Sequence, residues 1–180
     1  MMIVEVAIPW ARHGLTSGGP MSTAKRHTQD IIDAIEIHHG RIRAELTRLV
    51  DALISAVAAH EPHEPARRQL VNFLRGELLL HLETERKLLH VVGSSFESTE
   101  KLANCMAIGH RQILEHFHTL SEHDRDMDLA VAAGTILALI ELRLETENTV
   151  LLPALAANGA DLETLLAARA EILGDTAEKA

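Results

Sequence analysis

The sequence predicts an all-α protein, an up-down-up-down antiparallel four-helix bundle with a short fifth helix at its C-terminus. Apolar residues make up 47% of the 180 residues but aromatic residues only 2%, so Leu, Ala, Ile and Val must build the core. Four long segments repeat apolar residues at the spacing of an amphipathic helix, and no stretch alternates as a strand does. Short breakers separate the segments, which suits antiparallel neighbours in a bundle.

The first two segments end at clear helix breakers. Segment A runs from about Thr28 to Ala59 and stops before the prolines at 62 and 65. Its predicted inward stripe is Ile32, Ile35, His39, Ile42, Leu46, Leu49 and Leu53. Segment B runs from about Ala66 to Val92 and closes at Gly93-Ser94-Ser95. Its predicted inward stripe is Val71, Leu74, Leu78, His81, Glu85, Leu88 and Val92.

The last two segments complete the bundle. Segment C runs from about Ser98 to Leu120, with the inward stripe Ala103, Met106, His110, Ile113, Phe117 and Leu120. Segment D runs from about Asp128 to Leu152, with the inward stripe Leu129, Ala133, Ile136, Ile140, Arg143, Glu147 and Val150. After the Asn158-Gly159 turn, Asp161 is placed to cap the short fifth helix, which we expect to end near Leu173.

Composition, charge and the pattern of the first residues limit the classes of protein to which this chain can belong. We expect residues 1–20 to be a loosely ordered extension and residues 21–180 to form one helical domain, because Gly and Pro interrupt the first stretch. The formal net charge of -9 argues against nucleic acid, and no apolar run is long enough to span a membrane. Cys105 is the single cysteine, which fits a reducing compartment. We therefore expect a cytoplasmic protein.

Five polar residues fall in the predicted stripes, where apolar side chains are expected. His81 and Glu85 are one turn apart on segment B and point the same way. His39, His110 and Glu147 take inward positions in segments A, C and D. Burying an unpaired carboxylate or histidine is costly, and a bound metal ion offsets the cost. Because imidazole and carboxylate are metal ligands, we predict that the five converge on a metal site.

A metal-free explanation competes for each histidine. A single inward histidine is usually a core residue that is hydrogen-bonded to a neighbour. His38 flanks the stripe of segment A and would replace His39 if the predicted phase were one residue out. The remaining histidines lie in loops, at helix ends or off the stripes, and we expect them in solvent: His13, His27, His60, His63, His90, His116, His118 and His123.

Three short motifs follow one another along the segments. His39-Gly40-Arg41-Ile42-Arg43 opens the series, His81 to Glu85 forms a His-x-x-x-Glu, and Thr149-Val150-Leu151-Leu152-Pro153 closes it. In this order the motifs resemble the hemerythrin-like (HHE cation-binding) family over about residues 28–157. The resemblance implies a bundle domain that binds iron, di-iron or mononuclear, although another divalent metal would also suit the ligands. It implies that the ligands are the terminal His39, His81 and His110 and the bridging Glu85 and Glu147.

Arg143 departs from the family pattern. It stands where the family has a histidine, four residues before the bridging carboxylate of the fourth helix. A guanidinium stays protonated and cannot donate a lone pair to a metal. Three outcomes stay open: a lopsided di-iron site completed by water or by a residue outside the motif, a single bound ion, or no metal at all. In the last case Arg143 pairs with Glu85 and Glu147.

The resemblance implies a non-haem iron protein that binds or reacts with O2, nitric oxide or peroxide, or that handles iron. It favours a binding protein over an enzyme, although a cation such as Arg143 beside an iron could stabilise a bound peroxide. The alternative is a metal-free helical interaction or regulatory module. A ferritin-like oxidase needs Glu-x-x-His on two helices; Glu115 to His118 supplies one copy, but both residues lie off the stripe of segment C. Nothing marks Cys105 as an activated thiol.

Overall fold

The computed structural model describes residues 23–162, with side chains from residue 26 onward. Helix α1 spans Thr23–Ala58. The second bundle helix is continuous and consists of α2 (Glu64–Phe73), a π-helical turn (Leu74–Leu78) and α3 (Leu79–Gly93). The third is α4 (Glu97–Glu122). The fourth consists of α5 (Asp126–Thr146), a second π-helical turn (Glu147–Leu151) and α6 (Leu152–Ala157).

The all-α prediction is confirmed, and the described residues contain no strand. Helix α1 begins at Thr23, well before the start predicted near Thr28. Two further differences in helix ends lie at prolines. The second bundle helix begins at Glu64 because Pro65 lies in its first turn, where the missing N–H has no partner to lose. The fourth bundle helix continues past Pro153 to Ala157, because this proline lies in the first turn after the second π-helical turn.

Two apolar clusters fill the interior. The larger contains Ile42 of α1 and Ile140 of α5, and the smaller contains Ile35 of α1 and Leu89 of α3. Buried polar residues separate the two clusters along the helices. On α1, for example, His39 comes between Ile35 and Ile42 and is fully buried. The candidate site is therefore a polar layer inside an otherwise apolar core.

The predicted stripes of α1 and α4 agree with the burial pattern, apart from the half-buried Phe117. On the second bundle helix the predicted Val71, Leu88 and Val92 are only half-buried. The buried residues there, from His81 onward, include an i+4 series: His81, Glu85, Leu89 and Gly93. Each step of four residues advances the stripe by roughly 40° beyond a full turn, since an α-helix turns about 100° per residue. The prediction missed this rotation because it assumed alternating steps of three and four.

The π-helical turn on the fourth bundle helix shifts the stripe in a similar way. Val150, predicted inward, is 49% exposed, whereas Leu151 is buried. A π-helical turn accommodates one extra residue, so each later inward position moves on by one.

The predicted extension at residues 1–20 and most of the predicted fifth helix lie outside the described residues. Within the described part, no helix is both long enough and apolar enough to cross a bilayer.

Candidate metal centre

Three buried side chains from two helices converge at one point in the polar layer. Oε1 of Glu85 lies 3.0 Å from Nε2 of His39 and 2.8 Å from Nε2 of His81. All three residues are at most 1% exposed. Their candidate ligand atoms lie within 4.8 Å of one another, and no other group of three or more His, Cys, Asp or Glu in residues 23–162 meets that spacing. The structure therefore brings together His39, His81 and Glu85 of the predicted set.

Glu85 stays ionised although it is fully buried. Burial raises its pKa, but the charge of His81 and the hydrogen bonds with His39 and His81 outweigh burial. Together with the charge of Arg143, they hold the pKa of Glu85 well below its usual range. An ionised, buried carboxylate beside two imidazoles is a ready cation ligand.

Neighbouring side chains fix the two imidazole rings. Nδ1 of His39 lies 2.7 Å from Oδ1 of Asn148, which belongs to the second π-helical turn. The ring of His81 packs edge-on against His38 and His39, with centroid distances of 5.0 and 5.2 Å. His39 is the residue that contacts Glu85, so α1 has the predicted phase, with the buried His38 beside it.

The Arg143 guanidinium joins the two buried carboxylates. Its Nη2 donates to Oε2 of Glu85 at 3.2 Å, and its Nε lies 3.2 Å from Oε1 of Glu147. Arg143 is 5% exposed and both carboxylates are fully buried. The pairing expected for a metal-free core is therefore present, and it places a fixed positive charge beside the candidate ligands.

His90, which we expected in solvent, is buried beside this ion pair, so that prediction was wrong. The residue is 4% exposed, and its Nε2 lies 3.1 Å from Oε1 of Glu147 and 3.2 Å from Nη2 of Arg143. The rotation of the stripe along α3 turns His90 inward. The sequence contains one signal for the inward position of His90. A stripe that advances from His81 in steps of four residues reaches the residue next to His90.

His110 lies on α4 and is 8% exposed. Burial lowers its pKa, and the charge of Arg143 lowers it further, so the ring is neutral at neutral pH. It is close enough to Arg143 to experience that charge, but its nitrogens are not part of the three-residue group. Glu147 contacts Arg143 and His90 and is likewise outside the group.

Several buried polar atoms on the Glu147 side lack hydrogen-bond partners among the described residues. They are Oε2 of Glu147, Nδ1 of His90, Nδ1 of His110 and Nη1 of Arg143. Unpaired polar atoms are rare in protein cores, and ordered water or a bound polar molecule usually satisfies them. This side of the layer can therefore exchange hydrogen bonds with water or a small polar ligand.

The two sides differ in how well they fit a metal. Two imidazole nitrogens and one carboxylate oxygen suit Fe²⁺ or Zn²⁺, with further positions left for a small ligand. On the other side Arg143 offers no lone pair, and its charge repels a second cation. His39, His81 and Glu85 therefore fit a metal ion, whereas Glu147 and His110 fit one poorly while Arg143 stays in place.

A cavity of about 160 Å³ lies between α4 and α5 and reaches Arg143. Its walls are mainly apolar, and they comprise Leu102, Cys105, Met106, Gly109, Leu139, Leu142 and Thr146. Cys105 is free and exposed. Such a cavity admits a small, weakly polar molecule more readily than a hydrated ion.

A helical bundle whose core holds a buried group of histidines and a carboxylate is typical of cation-binding bundle proteins. The family model described as the hemerythrin HHE cation binding domain matches residues 30–155, more than half of the chain. The chain belongs to this family, and the predicted resemblance is confirmed. Comparison with curated proteins and with solved structures gave no significant match.

Proposed function

We propose that this chain is a non-haem iron protein that holds one cation between His39, His81 and Glu85. The observation that carries the proposal is the convergence of these three buried ligand atoms within 4.8 Å. Family membership supports it, because the matching domain is a cation-binding one. Iron is our choice of metal, since the ligand set is rich in nitrogen and leaves positions open for a small molecule.

Glu147 and His110 complete the proposed ligand set as the weaker half of an uneven site. In this half Arg143 supplies the positive charge that a second cation would otherwise bring, since it lies 3.2 Å from both Glu85 and Glu147. His90 takes part as the nitrogen next to Glu147. We therefore expect an iron content nearer one per chain than two.

When bound, iron would supply reversible binding or reduction of O2, nitric oxide or peroxide. The chain's own contribution is to exclude bulk water, because the ligand residues are at most 8% exposed. The apolar cavity beside Arg143 favours entry of small uncharged molecules. The guanidinium would stabilise negative charge that develops on such a molecule, since electrostatic effects are strong in a buried site.

One observation favours a second candidate, a metal-free helical module. The buried contacts of Arg143 with Glu85 and Glu147 already neutralise part of the charge in the core. In that case the polar layer serves to specify the packing of the bundle. The two candidates differ in what Arg143 does, and one substitution separates them.

The test is metal analysis and chemical denaturation of the iron-loaded wild type and the Arg143→His variant. The uneven site predicts that iron rises from about one towards two per chain, because an imidazole replaces a repelling charge one turn before Glu147. The metal-free module predicts no bound iron in either protein. It also predicts a loss of roughly 3–5 kcal/mol of stability, since the substitution strands two buried carboxylates.

Arg48→His is the matched control, because Arg48 pairs with Glu45 on the exposed face of α1. It should leave both iron content and stability unchanged. Two irons per chain in the wild type would contradict the uneven site and would give the second ion a ligand from outside the motif, with His90 the first residue to substitute.

We also infer the up-down-up-down order of the helices from the contacts around the site. Along α1 and the fourth bundle helix, His39 meets Asn148 and Arg43 meets Glu145, so the pairs run in opposite directions. Glu85 meets Arg143 and His90 meets Glu147, so the second and fourth bundle helices run in the same direction. Diagonal helices have this relation in a four-helix bundle with alternating directions.

A further inference from the structure

The two nitrogens of the buried His39 ring face different partners. Nε2 lies 3.0 Å from Oε1 of Glu85, on the side of the proposed cation. Nδ1 lies 2.7 Å from Oδ1 of Asn148, on the side away from it. A neutral imidazole carries one N–H and one lone pair, so the partner of one nitrogen decides what the other can do.

Two arrangements of the hydrogen compete. If Nε2 carried it, the ring would donate to Glu85 and its lone pair would be turned away from the cation. The amide oxygen of Asn148 and the ionised Glu85 can both only accept, so they compete for the hydrogen until a cation takes the Nε2 lone pair; the hydrogen then stays on Nδ1 and is donated to Asn148. In that form the Nε2 lone pair points towards Glu85 and His81, where a cation is required to separate it from the carboxylate oxygen.

Asn148 reaches this ring from the second π-helical turn, where it directly follows Glu147. Successive side chains on a helix point about 100° apart, so Glu147 and Asn148 face different neighbours. Glu147 contacts His90 on α3, whereas Asn148 contacts His39 on α1. The same turn thus places a carboxylate on one side of the polar layer and an amide on the other. π-helical turns occur frequently at functional sites.

We propose that Asn148 is a positioning residue for the cation site: it holds the hydrogen of His39 on Nδ1 and aims Nε2 at the metal. The inference rests on the proposed cation site at His39, His81 and Glu85. Partners of this kind fix the tautomer and orientation of a ligating histidine, and their loss typically lowers metal affinity about 10–100-fold.

The first measurement is Zn²⁺ affinity, determined by competition with a chromophoric chelator. Asn148→Leu, of similar size but without an acceptor, should bind Zn²⁺ about 10–100-fold more weakly than wild type. Asn148→Asp keeps an acceptor oxygen and should retain the affinity. Asn104→Leu, at an exposed position of α4, is the matched control and should behave as wild type. Thermal melts of the metal-free variants show that each one folds.

The second measurement is the ¹⁵N NMR spectrum of histidine-labelled protein, with the His39 signals assigned from a His39→Gln variant. Nδ1 of His39 should carry a hydrogen in the Zn²⁺-bound wild type, and this hydrogen should lose its protection from exchange in Asn148→Leu. An unprotonated Nδ1 in the Zn²⁺-bound wild type would overturn the proposal, as would wild-type Zn²⁺ affinity in Asn148→Leu. A wild-type protein that binds no Zn²⁺ would refute the cation site and leave Asn148 a structural partner only.

Discussion

At the scale of single residues, His90 shows how the chain accommodates an arginine in its core. Nε2 of His90 lies within hydrogen-bonding distance of both Nη2 of Arg143 and Oε1 of Glu147, and Arg143 in turn contacts Glu85 and Glu147. A buried guanidinium has five donors to satisfy, and the contacts of Arg143 with the two carboxylates use only Nη2 and Nε. His90 therefore belongs to the support of Arg143 more than to the proposed cation position.

This assignment predicts the behaviour of His90→Leu. The substitution removes a partner of Arg143 and Glu147 from the core, so the metal-free protein should lose about 1–3 kcal/mol of stability to urea. Iron content should stay at the wild-type level, because His39, His81 and Glu85 are unchanged. His116→Leu, at a half-buried position of α4, is the control and should alter neither value. Loss of iron in His90→Leu would instead place His90 among the ligands.

At the scale of helices, close packing at the end of α3 brings His90 to Glu147. A Cβ added at Gly93 would lie 3.1 Å from Cδ1 of Leu151 and 3.7 Å from Cβ of Ala103. Glycine therefore lets α3 lie close to both α4 and the second π-helical turn. The same π-helical turn carries Glu147, so the approach at Gly93 helps to set the distance between Glu147 and α3.

Two glycine substitutions test this packing. Alanine at Gly109, where an added Cβ meets no atom within 4 Å, should stabilise the protein by about 0.5–1 kcal/mol through helix propensity alone. Alanine at Gly93 gains the same propensity but must displace the buried Leu151, so it should give no stabilisation or a net loss. Urea denaturation of both variants measures the difference. Equal stabilisation at the two positions would show that the approach of α3 is not constrained.

At the scale of the whole molecule, a charged layer divides the apolar core into two clusters. Glu85, Glu147 and Arg143 are all buried, and with the histidines neutral, as metal binding requires, their formal charges leave one negative charge in excess. Burying uncompensated charge opposes folding, whereas a bound cation restores neutrality or makes the layer positive. Folding and cation binding are therefore expected to be coupled.

This coupling predicts a clear response to metal. Zn²⁺ or Fe²⁺ at a free concentration of 100 times its dissociation constant should stabilise the wild type by about 2.7 kcal/mol, and a chelator should abolish the gain. The measurement is the melting temperature with metal and with excess chelator. His39→Gln should melt at the same temperature in both conditions, because it removes a ligand. If the melting temperature of the wild type does not change with metal or with chelator, the result favours the metal-free module.

The sequence by itself determined the helical segments and most of the candidate site. Helix periodicity is local, so the spacing of Ile35, His39 and Ile42 was enough to place His39 in the core with the right phase. The same rule paired His81 with Glu85, and the order of motifs led to the family whose model matches residues 30–155. Arg143 was recognised as the departure because its chemistry excludes it as a ligand.

Only the tertiary structure decided which side chains share the polar layer with these ligands. His90 and Asn148 lie off the predicted stripes, and both face inward because of helix geometry beyond simple repeat spacing. The stripe of α3 rotates as it advances in steps of four, and the second π-helical turn gives two consecutive residues different neighbours. Such rotations accumulate along a helix and depend on how closely neighbouring helices approach, as at Gly93. Local periodicity therefore fixes which turn of a helix reaches the core, and packing between helices fixes which side chains meet there.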